Sequence, residues 1–300
     1  MFDIDSQALR GLLAREARID GGSWTEIHNG DECRVFRVDT DDVSRIVRVH
    51  PDRHRAPRIR WTHALAMHCS PAVPEVVAPL TLASGSSVAM LEAHPVSVFP
   101  WVAGDDLDAE DAELRLQAAS VLAALHRASA RFSPAPPAGG PPTAIEDGPL
   151  PDVVQDPDLD AWQRALPRLG LLRLPIHGDF YPRNVLATTE RITGVIDWDE
   201  AQIDYRMAEL AWTVWELCQH AEGDDFSRER ARAFVDRYRS AAPPCSSTEL
   251  DLLVPFIRRR LRREILYQLA VIERGGPWNE EHQAYLDSEI RAFANLRAAR

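Results

Sequence analysis

Two carboxylates and one amide in the second half of the chain have the residue types and spacing to support metal-assisted chemistry. Asp179 and Asn184 stand five positions apart, and Asp197 follows two short runs of β-forming residues. Carboxylate and amide oxygens are hard ligands that suit Mg²⁺, which keeps several of its waters when protein-bound. A carboxylate can also take a proton from a reacting hydroxyl.

A β-hairpin is predicted to bring these side chains together. If Thr189 pairs with Ile192, then Asn184 pairs with Asp197, and facing Cβ atoms lie about 4.5–5.5 Å apart. Asp179 lies on the loop before the hairpin and is then predicted to point into the gap between Asn184 and Asp197. The turn type stays open, and an ordinary surface hairpin with polar ends is the alternative. The two strands are predicted from β-rich runs on either side of Glu190 and Arg191, at 185–187 and 192–196.

The spaced set His177-Gly178-Asp179, then Asn184, then Ile196-Asp197-Trp198-Asp199 resembles the core of the aminoglycoside phosphotransferase family. The resemblance implies an α+β, protein-kinase-like two-lobed fold. Residues 1–101 would form a small β-rich nucleotide-binding lobe. Residues 102–300 would form a larger, mainly helical lobe for catalysis and acceptor binding.

The resemblance also implies roles for the polar residues of the hairpin. Asp179 would orient the acceptor hydroxyl and accept its proton, while Asn184 and Asp197 would hold Mg²⁺. His177 would brace the loop backbone. The role of Asp199 is left open: it either binds a second metal, or supports a residue that binds the metal, or faces the solvent.

Nucleotide-binding positions follow from the same resemblance. Gly30 lies in a polar turn that would cover the phosphates of ATP or GTP, and Arg48 stands where kinases usually place a lysine. The chain has no lysine, and a guanidinium can clamp phosphate. The Pro100 carbonyl and the Val102 amide would bind adenine. The next predicted helix, 57–68, has no acidic residue to pair with Arg48, which departs from the kinase pattern.

Other polar residues have structural interpretations. Glu209, at a helix start, is predicted to brace the catalytic loop, and His126 is predicted to be structural. The Pro- and Gly-rich segment 133–158 is either a lid or a variable insertion. Several acidic residues near the C-terminal helices form a pool for a cationic acceptor, namely Glu222, Asp224, Asp225, Glu264, Glu273, Glu280 and Glu281.

Composition limits the partners. The 300 residues carry a net charge of −12, which argues against nucleic acid and weakly favours a cationic small molecule. No apolar run is long enough to span a membrane. Four scattered cysteines and the lack of signal-peptide features predict a reduced, cytoplasmic protein. The oligomeric state is left open.

The predicted activity is therefore an ATP- or GTP- and Mg²⁺-dependent transfer of phosphate to a small-molecule hydroxyl. An antibiotic such as an aminoglycoside is one candidate acceptor, which would make the protein a resistance enzyme. The alternatives are a metabolic kinase of the amino sugar, homoserine or choline type, and a non-catalytic nucleotide-binding protein of the same fold. A metal hydrolase is disfavoured because the set has an amide and lacks a second histidine cluster.

Overall fold

An antiparallel five-stranded sheet dominates the N-terminal part of the chain. The computed structural model describes residues 2–27, 33–138, 140, 150–220, 223–241 and 247–298. The strands lie in the order β1-β2-β3-β5-β4. Their bounds are β1 Ser23–Ile27, β2 Arg34–Asp39, β3 Ser44–Val49, β4 Ala89–Leu91 and β5 His94–Pro100.

Helix α1 (Ser6–Ala17) covers one face of this sheet. The Asp5 carboxylate accepts hydrogen bonds from the amides of Gln7 and Ala8, which satisfies donors that the first turn leaves unpaired. The buried stripe of α1 packs with alternate residues of the strands into one apolar cluster. Its central members include Leu9, Leu13, Val38, Val47 and Val98.

Helix α2 (Ala56–Cys69) belongs to a second, larger core. Trp61 and Leu65 are buried there together with residues of the helical part of the chain. Backbone bonds strengthen this connection, since the Val195 amide donates to the Glu75 carbonyl and the Val77 amide donates to the Val195 carbonyl. Helix α2 and the segment after it are therefore tied to the second half of the chain through both side chains and backbone.

The larger core is built from helices that follow one another along the chain. Helix α5 (Arg206–Cys218) is apolar nearly all round and buries Leu210, Val214 and Trp215 among its neighbours. The helices are α3 Ala112–Ser129, α4 Pro157–Ala165, α5 Arg206–Cys218, α6 Arg228–Ala241, α7 Ser247–Leu250, α8 Leu253–Glu273 and α9 Glu280–Ala298.

Two small sheets carry the motif residues on this helical base. Strand β7 (Arg173–Ile176) pairs with β10 (Gln202–Tyr205), and the short strand β6 (Asp105–Asp106) pairs with β8 (Val185–Ala187). The predicted hairpin forms from β8 (Val185–Ala187) and β9 (Ile192–Val195).

The predicted register of that hairpin is wrong by one residue. Val185 pairs with Val195, and the Ile196 amide donates to the Asn184 carbonyl, so Ile196 rather than Asp197 faces Asn184. The two strands are joined by a tight turn in which the Thr188 amide donates to the Arg191 carbonyl. A bulge between Leu186 and Ala187 then shifts the pairing by one residue from the predicted register.

The architecture is the predicted α+β, protein-kinase-like arrangement, with an N-terminal antiparallel sheet and a mainly helical C-terminal part. In the part of the chain that the structure describes, no helix has the length and hydropathy needed to cross a bilayer.

The larger core predicts a sharp contrast between two leucines. Leu122→Ala removes a side chain that is 0% exposed, and it should lower the free energy of unfolding by about 2–5 kcal/mol. Leu169 is 45% exposed, so Leu169→Ala should cost less than about 1 kcal/mol. Urea denaturation measures both values, and equal losses would contradict this account of the core.

Candidate active site

The loop between β7 and β8 carries the His-Gly-Asp motif and has a backbone that requires glycine at its second position. Gly178 has a φ of +86°, and a Cβ atom there would lie 2.3 Å from the Glu200 carbonyl oxygen. A side chain would meet rigid backbone and would also strain the left-handed conformation. This close approach holds the loop against the segment that follows the hairpin.

Glu209 anchors the loop from helix α5, as predicted. Its Oε1 accepts a hydrogen bond of 2.6 Å from the Gly178 amide, and its Oε2 lies 2.7 Å from His126 Nε2. The other nitrogen of His126 lies 2.6 Å from the Tyr238 hydroxyl. Burial works to raise the pKa of Glu209, but the bonds from His126 and Gly178 hold that pKa below its usual value.

His177 also acts on the backbone, in agreement with its predicted bracing contact. Its Nε2 donates to the Ile196 carbonyl at 2.9 Å, and its Nδ1 accepts from the Asp179 amide at 3.3 Å. Burial lowers the pKa of His177, which favours the neutral ring that these two bonds require. The ring therefore fixes the loop relative to the end of β9.

Asp179 is held at both carboxylate oxygens. Arg260 Nη2 donates to Oδ1 and Asn184 Nδ2 donates to Oδ2, each at 3.0 Å. Arg260 also donates to the Gly178 carbonyl at 2.7 Å, and its guanidinium lies 4.8 Å from the centre of the Trp212 ring. The motif carboxylate is thus oriented by contacts from the loop itself and from helix α8.

The electrostatic surroundings of Asp179 suit a general base. Burial raises its pKa to about 7, against the opposing effect of Arg260, and Glu264 adds to the rise. Glu216, two turns along α5 from Glu209, has a pKa raised to about 8 by burial and by the Asp179 carboxylate. A carboxyl group with a pKa near neutrality can exchange a proton with a hydroxyl at physiological pH.

Arg48 has acidic partners, although none comes from helix α2. Its Nη1 lies 3.2 Å from Asp197 Oδ1, and its Nη2 lies 3.0 Å from Asp199 Oδ2. These partners, which follow β9, were not identified from the sequence, and the phosphate-binding role of Arg48 stays a prediction. Asp197 has a left-handed backbone with a φ of +58°, so the chain bends sharply where the hairpin ends.

The donors near this bend fit a divalent cation. Asp197 offers carboxylate oxygens on a side chain that is 42% exposed, and Asn184 uses its Nδ2 on Asp179, which leaves Oδ1 as an acceptor. Asn184 is also next to Asp197 in space through the bond between the Ile196 amide and its own carbonyl. Hard oxygen donors of this kind suit Mg²⁺.

Two of the remaining predicted nucleotide contacts lie where the chain leaves the N-terminal sheet. Pro100 is the last residue of β5, and Val102 lies in the segment that leads on to β6. Their adenine-binding roles stay predictions. Gly30 lies outside the described residues, as does Glu222 of the predicted acidic pool.

Sequence reasoning missed two residues beside Asp179. Arg260 and Glu216 stand on long helices whose periodicity indicates only burial. The spacing of Arg260 and Glu264 could have indicated an ion pair, because residues four apart share a helix face. In the structure Arg260 Nε lies 2.6 Å from Glu264 Oε1. Glu264 was in the predicted pool, and its carboxylate binds Arg260 rather than standing free.

Comparison with known proteins places the chain among phosphotransferases. A family model described as "Phosphotransferase enzyme family" matches residues 23–244. A homoserine kinase of Mesorhizobium japonicum is 25% identical over 272 residues, which cover 85% of this chain and 83% of that protein.

Solved structures resemble the fold over nearly the whole chain. Amicoumacin kinase hAmiN, in complex with AMP-PNP, Ca²⁺ and Ami, superposes with a TM-score of 0.76 at 13% identity and covers 97% of this chain and 94% of its own. A choline/ethanolamine kinase family protein from Mesorhizobium loti has a TM-score of 0.65 at 19% identity, with coverage of 98% and 94%.

The family match and the kinase-like fold, with a half-buried carboxylate on the His-Gly-Asp loop that is hydrogen-bonded at both oxygens, define a phosphotransferase that acts on small-molecule hydroxyls. The chain belongs to the phosphotransferase enzyme family.

The raised pKa of Asp179 predicts a pH-dependent stability difference. The folded protein holds a proton on this carboxyl up to about pH 7, whereas the unfolded chain loses it near 3.8, the usual pKa of an aspartate. This contribution to stability is therefore present below about pH 4 and is lost as the pH rises through 7. Relative to wild type, Asp179→Asn should become progressively more stable from pH 4.5 to 7.5 in denaturation experiments. The exposed Asp236→Asn should show no such trend.

The ion pairs of Arg48 predict that it competes with metal for the same carboxylates. Removing a cation about 3 Å from Asp197 and Asp199 should strengthen Mn²⁺ binding to the nucleotide-free protein by about tenfold or more. Electron paramagnetic resonance titration of Arg48→Met against wild type measures this change. Arg45→Met, on the same strand, is the matched control, and equal Mn²⁺ affinity in all three proteins would contradict the competition.

Proposed function

We propose that this protein transfers the terminal phosphoryl group of ATP or GTP to the hydroxyl of a small metabolite, with Mg²⁺ as the metal. The observation that carries the proposal is the carboxylate of Asp179, which is oriented by Asn184 and Arg260 and has a pKa near 7. That is the protonation behaviour a general base needs for a hydroxyl acceptor.

In the proposed reaction, Asp179 aligns the acceptor hydroxyl and receives its proton. The acceptor oxygen forms a bond to the γ-phosphorus, and the bond from that phosphorus to the β,γ-bridging oxygen breaks to release the nucleoside diphosphate. Arg260 and Asn184 keep the carboxylate in position while the proton moves. Phosphoryl transfer depends mainly on such positioning and on charge stabilisation.

The residues at the end of β9 would serve the phosphate side of the reaction. Asn184 and Asp197 would hold Mg²⁺, which supplies charge neutralisation to the nucleotide phosphates when bound. Arg48 would exchange its carboxylate partners for phosphate oxygens, because guanidinium binds both groups with similar geometry. Gly30, Pro100 and Val102 would complete the nucleotide site through backbone contacts.

A metabolic acceptor is better supported than an antibiotic. The curated relative from M. japonicum is named a homoserine kinase and aligns along most of both chains. Likeness to the amicoumacin kinase supports the fold alone, because the identity is 13%. We therefore favour the metabolic alternative, with a small hydroxy-amino compound of the homoserine type as acceptor.

The two non-kinase interpretations lose their support. A non-catalytic protein was suggested by the apparent lack of an acidic partner for Arg48, but Asp197 and Asp199 both pair with it. A metal hydrolase at this site would use His177 as a ligand, but both ring nitrogens of this histidine contact the backbone.

Replacement of the general base tests the proposal. Asp179→Asn keeps the size of the side chain but cannot accept a proton, and its NH2 group replaces one of the two acceptor oxygens. We therefore expect kcat for acceptor-dependent nucleotide consumption to fall by about 100- to 10,000-fold. Nucleotide affinity, measured by calorimetry, should stay near that of wild type. Asp236→Asn serves as a matched surface control. Full turnover by Asp179→Asn, or no acceptor-dependent turnover by wild type, would refute the proposed function.

A further inference from the structure

A cavity of about 560 Å³ opens beside the catalytic loop. Gly178 and Arg260 line it, and these are residues that contact Asp179 or adjoin it in sequence. Apolar side chains such as Trp212 and Leu266 supply much of the remaining wall. The volume and the mixture of apolar wall with a few polar groups are typical of small-molecule sites.

Arginine is the most frequent charged residue of this wall. Helix α8 contributes four arginines to the cavity, at positions 259, 260, 262 and 263. Three of them are neutralised by close acids: Arg259 binds Asp204 and Arg262 binds Asp160, while Arg260 binds Asp179 and Glu264.

Arg263 is less well paired than these three. The Nε atoms of Arg260 and Arg262 are also buried without a hydrogen bond, but in Arg263 both Nε and Nη2 make none within the described part of the chain. Its Nη2 lies 3.5 Å from Glu264 Oε1, and that same oxygen lies 2.6 Å from Arg260 Nε. Burial and the neighbouring Arg260 lower the pKa of Arg263, while the carboxylates of Glu264 and Glu200 act in the opposite direction.

We propose that Arg263 binds the carboxylate of the acceptor, which is a small hydroxy acid whose hydroxyl meets Asp179. The proposal rests on the proposed kinase function and adds the chemical class of the acceptor. A guanidinium offers a planar pair of donors that match a carboxylate, and buried donors without partners gain most from one.

The positions on helix α8 support a short acceptor. Arg260 and Arg263 are three residues apart, so they share a helix face with their Cβ atoms about 5–6 Å apart. Arg260 holds Asp179 directly, so a hydroxyl at Asp179 and an anionic group at Arg263 would be separated by only a few bonds. The nucleotide phosphates are a poorer match for Arg263, because Arg48 and Asp197 mark their proposed site elsewhere.

A matched pair of acceptors isolates the carboxylate. L-homoserine and L-homoserine amide share the hydroxyl and the ammonium group and differ in the anionic charge. The variants are Arg263→Gln, which removes the charge, and Arg263→Lys, which keeps it. Arg274→Gln, an exposed arginine at the end of the same helix, is the control. Calorimetry measures binding of each compound, and nucleotide-consumption kinetics give kcat and KM separately.

Wild type should bind homoserine more tightly than its amide. Arg263→Gln should raise the dissociation constant and KM for homoserine by about 10- to 100-fold, with little change in kcat and no change for the amide. Arg263→Lys should recover part of the loss, and Arg274→Gln should match wild type.

Two kinds of failure are distinguishable. Equal binding of acid and amide by wild type, no binding of either, or a loss in Arg263→Gln that is the same for both compounds would overturn the carboxylate site. Binding of homoserine that depends on Arg263, without any nucleotide turnover, would support the carboxylate site and refute the kinase function.

Discussion

The buried carboxylate of Glu209 is the constraint on which the rest of the site depends. It lies inside the larger core, where an unpaired charge would be costly, so it must be paired. Its two oxygens are paired with His126 of α3 and with the amide of Gly178. One side chain therefore joins two helices to the catalytic loop, and the position of Asp179 follows from that connection.

Two arginines that are far from the motif in sequence contact its carboxylates. Arg260 reaches Asp179 across 81 residues, and Arg48 reaches Asp197 across 149. In both pairs the guanidinium contacts a carboxylate to which the proposed chemistry assigns a reacting or metal-binding role. Ligand binding must therefore rearrange or share these ion pairs, which couples the occupancy of the site to the geometry of its two carboxylates.

Local sequence patterns were sufficient for part of this structure. The hairpin, helix α2 and the bracing contacts of Glu209 and His177 were predicted, because motif spacing and periodicity express them directly. The hairpin register was not, since a single bulge shifts all pairing beyond it and leaves no periodic signal. The partners of Arg48, and the contact of Arg260 with Asp179, depend on how distant elements pack, which periodicity does not encode.

The most direct test of the central claim is the identity of the product. Wild-type protein incubated with ATP, Mg²⁺ and L-homoserine should yield homoserine that carries one additional phosphoryl group on its hydroxyl, as seen by mass spectrometry and ³¹P nuclear magnetic resonance. Release of inorganic phosphate without any phosphorylated acceptor, across homoserine and related small hydroxyl compounds, would contradict the account.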